Sequence, residues 1–284
     1  MLRRWSITLA TTVLAVGSLL GLAVGSVSSA SAATVARHPS TTTTRPGGAA
    51  AHGFKPGGVM LKPSGSAKAR AHAGHYQAES TNWSGYAVTG GSGAFKSVSA
   101  SWTQPTATCS GSGAKYAAFW VGLDGYSSSS VEQTGTDSDC NGRTPDYYGW
   151  YEMYPANPVY YTNTVKPGDA ISASVTFSGS DTYTLVLKDT TRGWTQTQTI
   201  NESGFARSSA EVITEAPCCT AGGGILPLAN FGTINYTGSA ANGTSMGTQK
   251  PTSIVMIDNA GRDKDSTSSM SSSGAFSNAW IRSS

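Results

Sequence analysis

Four carboxylates stand where carboxylates are costly. Asp124, Glu152, Glu211 and Glu215 fall inside or at the ends of runs rich in aromatic and apolar residues, whereas Asp169, Asp181, Asp263 and Asp265 sit in turn-like or polar contexts. A charge on a buried strand is unfavourable unless it is paired or put to use; the alternative is the solvated face of an edge strand. Glu211 and Glu215 share one strand face but lie roughly 13 Å apart along it. That exceeds the span of about 5–9.5 Å used by paired carboxyls that split glycosidic bonds, so either would need a cross-strand partner such as Glu152. The Asp-Thr-Gly or Asp-Ser-Gly loops of a paired-aspartate site are absent, the nearest sequence being Asp189-Thr190-Thr191. Gln133-Thr134-Gly135 offers a different group. An amide does not titrate, and it could orient water or stabilise an oxyanion; taken alone, the same residue reads as an exposed polar side chain closing a strand.

The histidines narrow the chemistry further. All four (His38, His52, His72, His75) lie in the first 78 residues. If that leader is removed, the body has no imidazole, which excludes Ser-His-Asp and Cys-His nucleophiles, histidine-ligated zinc and histidine acid–base schemes. What remains is chemistry by carboxylates, amides, hydroxyls and backbone. The four cysteines, Cys109, Cys140, Cys218 and Cys219, all lie in the body. They suit disulfides in an exported protein better than a metal ribbon; of three possible pairings the expected one is Cys109–Cys140 with a vicinal Cys218–Cys219 bridge. No metal or cofactor is expected.

Charge divides the chain in the same place. Residues 1–78 carry eight Lys/Arg and no Asp or Glu, while the rest of the chain carries all 16 carboxylates and is net acidic. Arg3 and Arg4 precede an apolar run from Ile7 to about Gly25 and an Ala30-Ser31-Ala32 site, the pattern of a secretory signal peptide over 1–32, with a single membrane anchor as the rival. Residues 33–78 are basic, rich in Pro, Gly, Ala and Thr, and expected to be largely disordered. They read either as a linker or as a propeptide whose positive charge docks on an acidic cleft at neutral pH and loosens when carboxylates protonate. With its net positive charge confined to a removable leader and the body net acidic, the chain implies no nucleic-acid partner.

Those residues must be positioned by strands. From Asn82 onward, short β-branched and aromatic runs alternate with Gly/Ser/Asn/Asp clusters, predicting strands over 95–105, 115–124, 131–135, 147–154, 170–177, 182–187, 194–200, 209–215, 228–236, 253–257 and 275–281. No helical period persists beyond two turns, and only 12% of residues are charged, which excludes a coiled-coil or long-helix protein. Eleven strands at this spacing imply an all-β domain over 79–284, two stacked antiparallel sheets forming a β-sandwich.

Six motifs then occur in order: residues 81–86 (TNWSGY), 120–125 (WVGLDG), 133–135 (QTG), 147–155 (YYGWYEMYP), 210–215 (AEVITE) and 227–232 (PLANFG). Together they resemble the glutamic peptidases, the eqolisins, of the scytalidoglutamic peptidase type, and more the bacterial branch than the fungal one. The resemblance covers 80–284. It implies a concanavalin-like sandwich of two sheets of about seven strands, a secreted, extracellular, acid-active endopeptidase made as a zymogen with a basic inhibitory propeptide, polypeptide substrates, a monomer, and no cofactor. Carried over position by position, the catalytic glutamine falls on Gln133 and the catalytic glutamate on Glu215. Trp120, Asp124, Trp150, Glu152 and Tyr154 match cleft positions, with Trp83 of the first motif as a supporting residue. The chain departs from the pattern at Val212, often aromatic in the family, and at Ala216-Pro217-Cys218, an acidic and aromatic stretch in fungal members; both bear on the cleft wall. The expected mechanism is a water held between Glu215 and Gln133, with Asp124 and Glu152 hydrogen-bonding and tuning the pair while Trp120, Trp150 and Tyr154 pack the substrate. The rival readings are a carbohydrate-binding sandwich that stacks sugars on Trp83, Trp102 and Trp194, and a glycosidase of the same architecture.

Overall fold

The computed structural model describes residues 58–63, 71–72, 75–218 and 224–284, all within the compact unit that spans 42–284. The expected signal peptide and Cys219 lie outside the described residues. In chain order the strands are β1 (Ala71–His72), β2 (His75–Ser80), β3 (Trp83–Thr89), β4 (Ser97–Thr103), β5 (Ala118–Leu123), β6 (Val131–Asn141), β7 (Thr144–Tyr154), β8 (Val159–Tyr160) and β9 (Ala170–Gly179). They continue as β10 (Thr182–Asp189), β11 (Trp194–Asn201), β12 (Ser209–Glu215), β13 (Thr233–Ala241), β14 (Thr244–Ser245), β15 (Thr252–Met256), β16 (Asp265–Thr267) and β17 (Phe276–Trp280).

Two sheets result. One has nine strands in the order β1-β2-β15-β3-β12-β5-β6-β7-β8; the other runs β11-β10-β9-β4-β13-β17-β16, with β14 paired to β13. The pairings are antiparallel except β2 with β15. The second sheet shows the alternation expected of a half-buried layer: in β10, Tyr183, Leu185, Leu187 and Asp189 are buried while the residues between them are not. The first sheet behaves differently at its centre. Every residue of β5 and β12 is buried, so both faces are covered. One face meets the other sheet through Phe119, Val121, Leu123 and Val212. The opposite face carries a second apolar cluster, with Trp83, Trp120, Val131, Trp150 and Ile213, beneath Met60.

The sequence expectations hold in outline and fail in informative places. The expected 209–215 strand is β12 to the residue. β3 was not among the expected strands, because its Trp-Ser-Gly-Tyr run lacks alternation; it forms by pairing along β12 from Trp83 to Thr89. β6 extends six residues past its expected end, through a polar run whose polar groups have partners: Gln104 Nε2 donates to the Asp137 main-chain carbonyl and to Ser138 Oγ, both at 2.9 Å. The expected strand over 228–236 starts only at Thr233 and runs on to Ala241; its first residues make isolated bridges instead. Cys109 and Cys140 form the expected disulfide, and Cys218 is disulfide-bonded as well. Trp83 and Trp102 are buried, which removes two of the three rings proposed to stack on sugars.

Candidate active site

The covered face of the nine-stranded sheet collects the residues singled out above. Directly paired residues in antiparallel strands project to the same side, so register places the side chains. Gln133 on β6 lies opposite Glu152 on β7 and Gly122 on β5, and Gly122 lies opposite Glu211 on β12. Glu215 stands four residues along β12, opposite Ala118 and Trp83. Gln133, Glu152, Glu211 and Glu215 therefore share one face.

Trp120 bridges the two rows. Its Nε1 donates to Glu215 Oε2 at 2.9 Å. The far edge of the indole overhangs Gly122: a Cβ placed there would stand 2.8 Å from Trp120 Cζ3 and 3.2 Å from Gln133 Cβ. One indole thus donates to the glutamate at one edge and at the other overhangs Gly122, the residue paired with Gln133. Gly135, the glycine of the Gln133 motif, is constrained alike, since a Cβ there would lie 2.2 Å from the Phe119 carbonyl oxygen. Trp83 stands edge-on to Trp120, centroids 4.9 Å apart.

Gln133 Nε2 donates to Glu152 Oε2 at 2.9 Å. This bond takes one of the amide's two hydrogens and fixes which end is nitrogen; the second N–H remains for a ligand. Glu215 receives three donors. Oε1 accepts from Asn82 Nδ2 at 3.2 Å and from the Gly58 main-chain N–H at 3.3 Å, and Oε2 accepts from Trp120. Burial pushes the Glu215 carboxyl up to about 8, with the N–H groups of Gly58, Trp120, Asn82 and Trp83 offsetting part of the effect.

Trp150 is held from below: its Nε1 donates to Asp137 Oδ1 at 2.6 Å. Tyr148 Oη lies 2.8 Å from Asp137 Oδ2 and 2.6 Å from Asp139 Oδ2. Tyr154 is half-buried at the rim, its Cε2 3.9 Å from where a Gly58 Cβ would be. Asp124 has different work from that expected. Its carboxylate accepts from the N–H groups of Arg207 and Ser208, at 2.5 and 2.8 Å, and from the Ser208 hydroxyl at 3.0 Å. Asp124 therefore ties the end of β5 to the segment entering β12, and among the described residues no hydrogen bond joins it to Gln133 or Glu215.

Sequence reasoning passed over two contributors. Asn82 sat in the first motif without a role, and residues 58–63 sat in the stretch expected to be largely disordered. Both touch Glu215. For the segment the signal was composition: Val59, Met60 and Leu61 form a rare apolar triplet in residues 33–78, a stretch otherwise poor in large apolar residues.

The Peptidase A4 family profile matches residues 81–280, and no curated protein matches the chain. Among solved structures, scytalidoglutamic peptidase with a transition-state analogue inhibitor superposes with a TM-score of 0.61 at 26% identity, covering 71% of this chain and 98% of that one. SCP-B, an eqolisin solved with the tripeptide Ala-Ile-His, gives 0.58 at 25% identity over 71% and 98%. The aspergilloglutamic peptidase of Aspergillus niger, at 22% identity and a TM-score of 0.51 over 59% and 99%, shares the fold. Motif order, sheet architecture and the match over 81–280 together make this chain a member of the Peptidase A4 family, the eqolisins.

Proposed function

We propose that the protein is a secreted, acid-active glutamic endopeptidase that acts as a monomer on polypeptide chains through Glu215 and Gln133. The observation that carries the reading is the placement of these groups on one face, with Trp120 donating to Glu215 and a main-chain amide already resting on Glu215. Similarity to scytalidoglutamic peptidase and SCP-B, whose solved complexes hold a transition-state analogue and a tripeptide, supports it.

In this mechanism ionised Glu215 takes a proton from a water, whose oxygen bonds to the scissile carbonyl carbon. The free N–H of Gln133 donates to the developing oxyanion, a contribution of about 2.7–4 kcal/mol for donors of this kind. Glu215 then hands the proton to the leaving nitrogen as the C–N bond breaks. Glu152 positions the amide, and Trp120 positions the glutamate. Because an amide does not titrate, Gln133 works at any pH and only Glu215 must be ionised.

Residues 33–78 act as an inhibitory propeptide, with 58–63 as the part that covers the site. Among the described residues 58–63 the covering contacts are main-chain hydrogen bonds and the buried Met60, while Lys62 is exposed. The test is Gln133→Ala and Glu215→Gln, assayed on denatured casein at about pH 3, below the ordinary Glu pKa of about 4.3. Activity should drop at least about 100-fold in each, and wild-type activity in either variant refutes the proposal.

A further inference from the structure

We infer that residues 58–62 trace the path of a substrate on the leaving-group side of the cleft, and that this side selects one side chain, the third after the cleaved bond. The inference rests on the assignment of Glu215 as the proton carrier. In that reaction the water oxygen joins the carbonyl carbon, the C–N bond breaks, and the water's proton passes through Glu215 to the departing nitrogen. The nitrogen beside Glu215 therefore belongs to the first residue after the bond. Here that nitrogen is Gly58 N, 3.3 Å from Oε1, so Val59, Met60 and Leu61 take the second, third and fourth positions.

The segment is held mostly through its main chain. Asn82 Nδ2 donates to the Val59 carbonyl at 3.1 Å, and Asn82 Oδ1 accepts from the Leu61 N–H at 2.8 Å. A carbonyl and an N–H two residues apart point the same way in an extended chain, so this one amide does the work of a neighbouring strand. Between them the Met60 N–H donates to the Gly125 carbonyl at 3.0 Å. These contacts accept any sequence. Side chains are another matter. Met60 is 6% exposed and packs in the cluster of Trp83, Trp120, Val131 and Ile213, whereas Val59 and Leu61 are half-buried and Lys62 is exposed. Gly125 completes the pocket: a Cβ there would lie 2.8 Å from Trp83 Cη2 and 2.4 Å from Val131 Cγ2.

The test uses the acid-incubated full-length protein and internally quenched peptides ending in Gly-Val-X-Leu-Lys after the cleaved bond, mapped by mass spectrometry. With X as Met or Leu, kcat/KM should be high. Ala should lower it several-fold and Asp at least about tenfold, while changes at the Lys position stay within about twofold. A flat profile at X, with peptides still cleaved, overturns the subsite and leaves the peptidase assignment standing. Failure to cleave any peptide or casein overturns both. Hydrogen exchange on the full chain gives an arm independent of turnover: Met60→Asp should abolish protection of the Met60 and Leu61 amides, and equal protection in variant and wild type overturns the anchor.

Discussion

Glu132 gives the sharpest test of the electrostatics. It projects to the face of β6 opposite Gln133, is fully buried, and neither carboxyl oxygen has a hydrogen-bond partner of normal geometry. Burial pushes its carboxyl up to about 9; the carboxylates of Asp124 and Glu202 push the same way, and Ser130 and Arg207 offset only part. The unfolded chain ionises this residue above about pH 4.5, so from there to about pH 9 the folded state holds a proton that the unfolded state has released. Folded protein is then favoured most below pH 4.5, and stability falls as pH rises through the window. Each pH unit costs about 1.4 kcal/mol, which gives about 3 kcal/mol between pH 4.5 and 7 from this one group. Glu132→Gln keeps the shape and cannot ionise. In a Gln133→Ala background that prevents self-cleavage, urea unfolding followed by tryptophan fluorescence should show the Glu132→Gln protein losing about 3 kcal/mol less than its parent between those pH values. The same pH slope in both proteins would refute the reasoning.

Three further outcomes follow from particular contacts. Glu152→Ala frees the Gln133 amide from its 2.9 Å bond and should lower kcat about tenfold or more with little change in KM, read from initial rates on a quenched peptide. Trp120→Phe keeps a ring over Gly122 but removes the N–H that lowers the Glu215 pKa; the acid limb of the kcat/KM profile should move to higher pH, and an unmoved limb contradicts the assigned bond. Replacing Cys109 and Cys140 by serine opens a link between residues 31 apart and should cost about 2–4 kcal/mol in urea unfolding.

Much of the fold was legible because strand runs and turn clusters alternate plainly after residue 90. The second sheet follows its period-two pattern almost residue by residue, since one side meets solvent. The central strands of the first sheet gave no such pattern. β5 and β12 are covered on both faces, and nothing local says that a segment from another part of the chain does the covering. Glu215 and Gln133 were visible as oddities, a charge and an amide in buried runs, but the reason they share a face lies in the register of β5 with its neighbours. Asp124 shows the limit of reading roles by position: it lies at the edge of the site in sequence, yet its carboxylate is consumed by the backbone at 207 and 208. Asn82 was hidden because a side chain that bonds main chain leaves no trace in spacing.

The direction of the Glu215 shift bears on how a covered site could open. With residues 58–63 in place the carboxyl sits near 8, chiefly because it is buried. Removing the segment returns water to the carboxyl, which lowers its pKa toward the ordinary range. The covered state therefore binds the proton more tightly than the open one, and by linkage the proton binds the covered state. As pH falls through the interval between the two values, this residue holds the segment more firmly. Protonation of Glu215 cannot be the event that expels the leader, contrary to a picture of opposite charges parting in acid. Release in acid has to come from elsewhere, and cutting the segment itself is one route. A main-chain nitrogen already seated 3.3 Å from the acid that would protonate it is better placed for cutting than for expulsion.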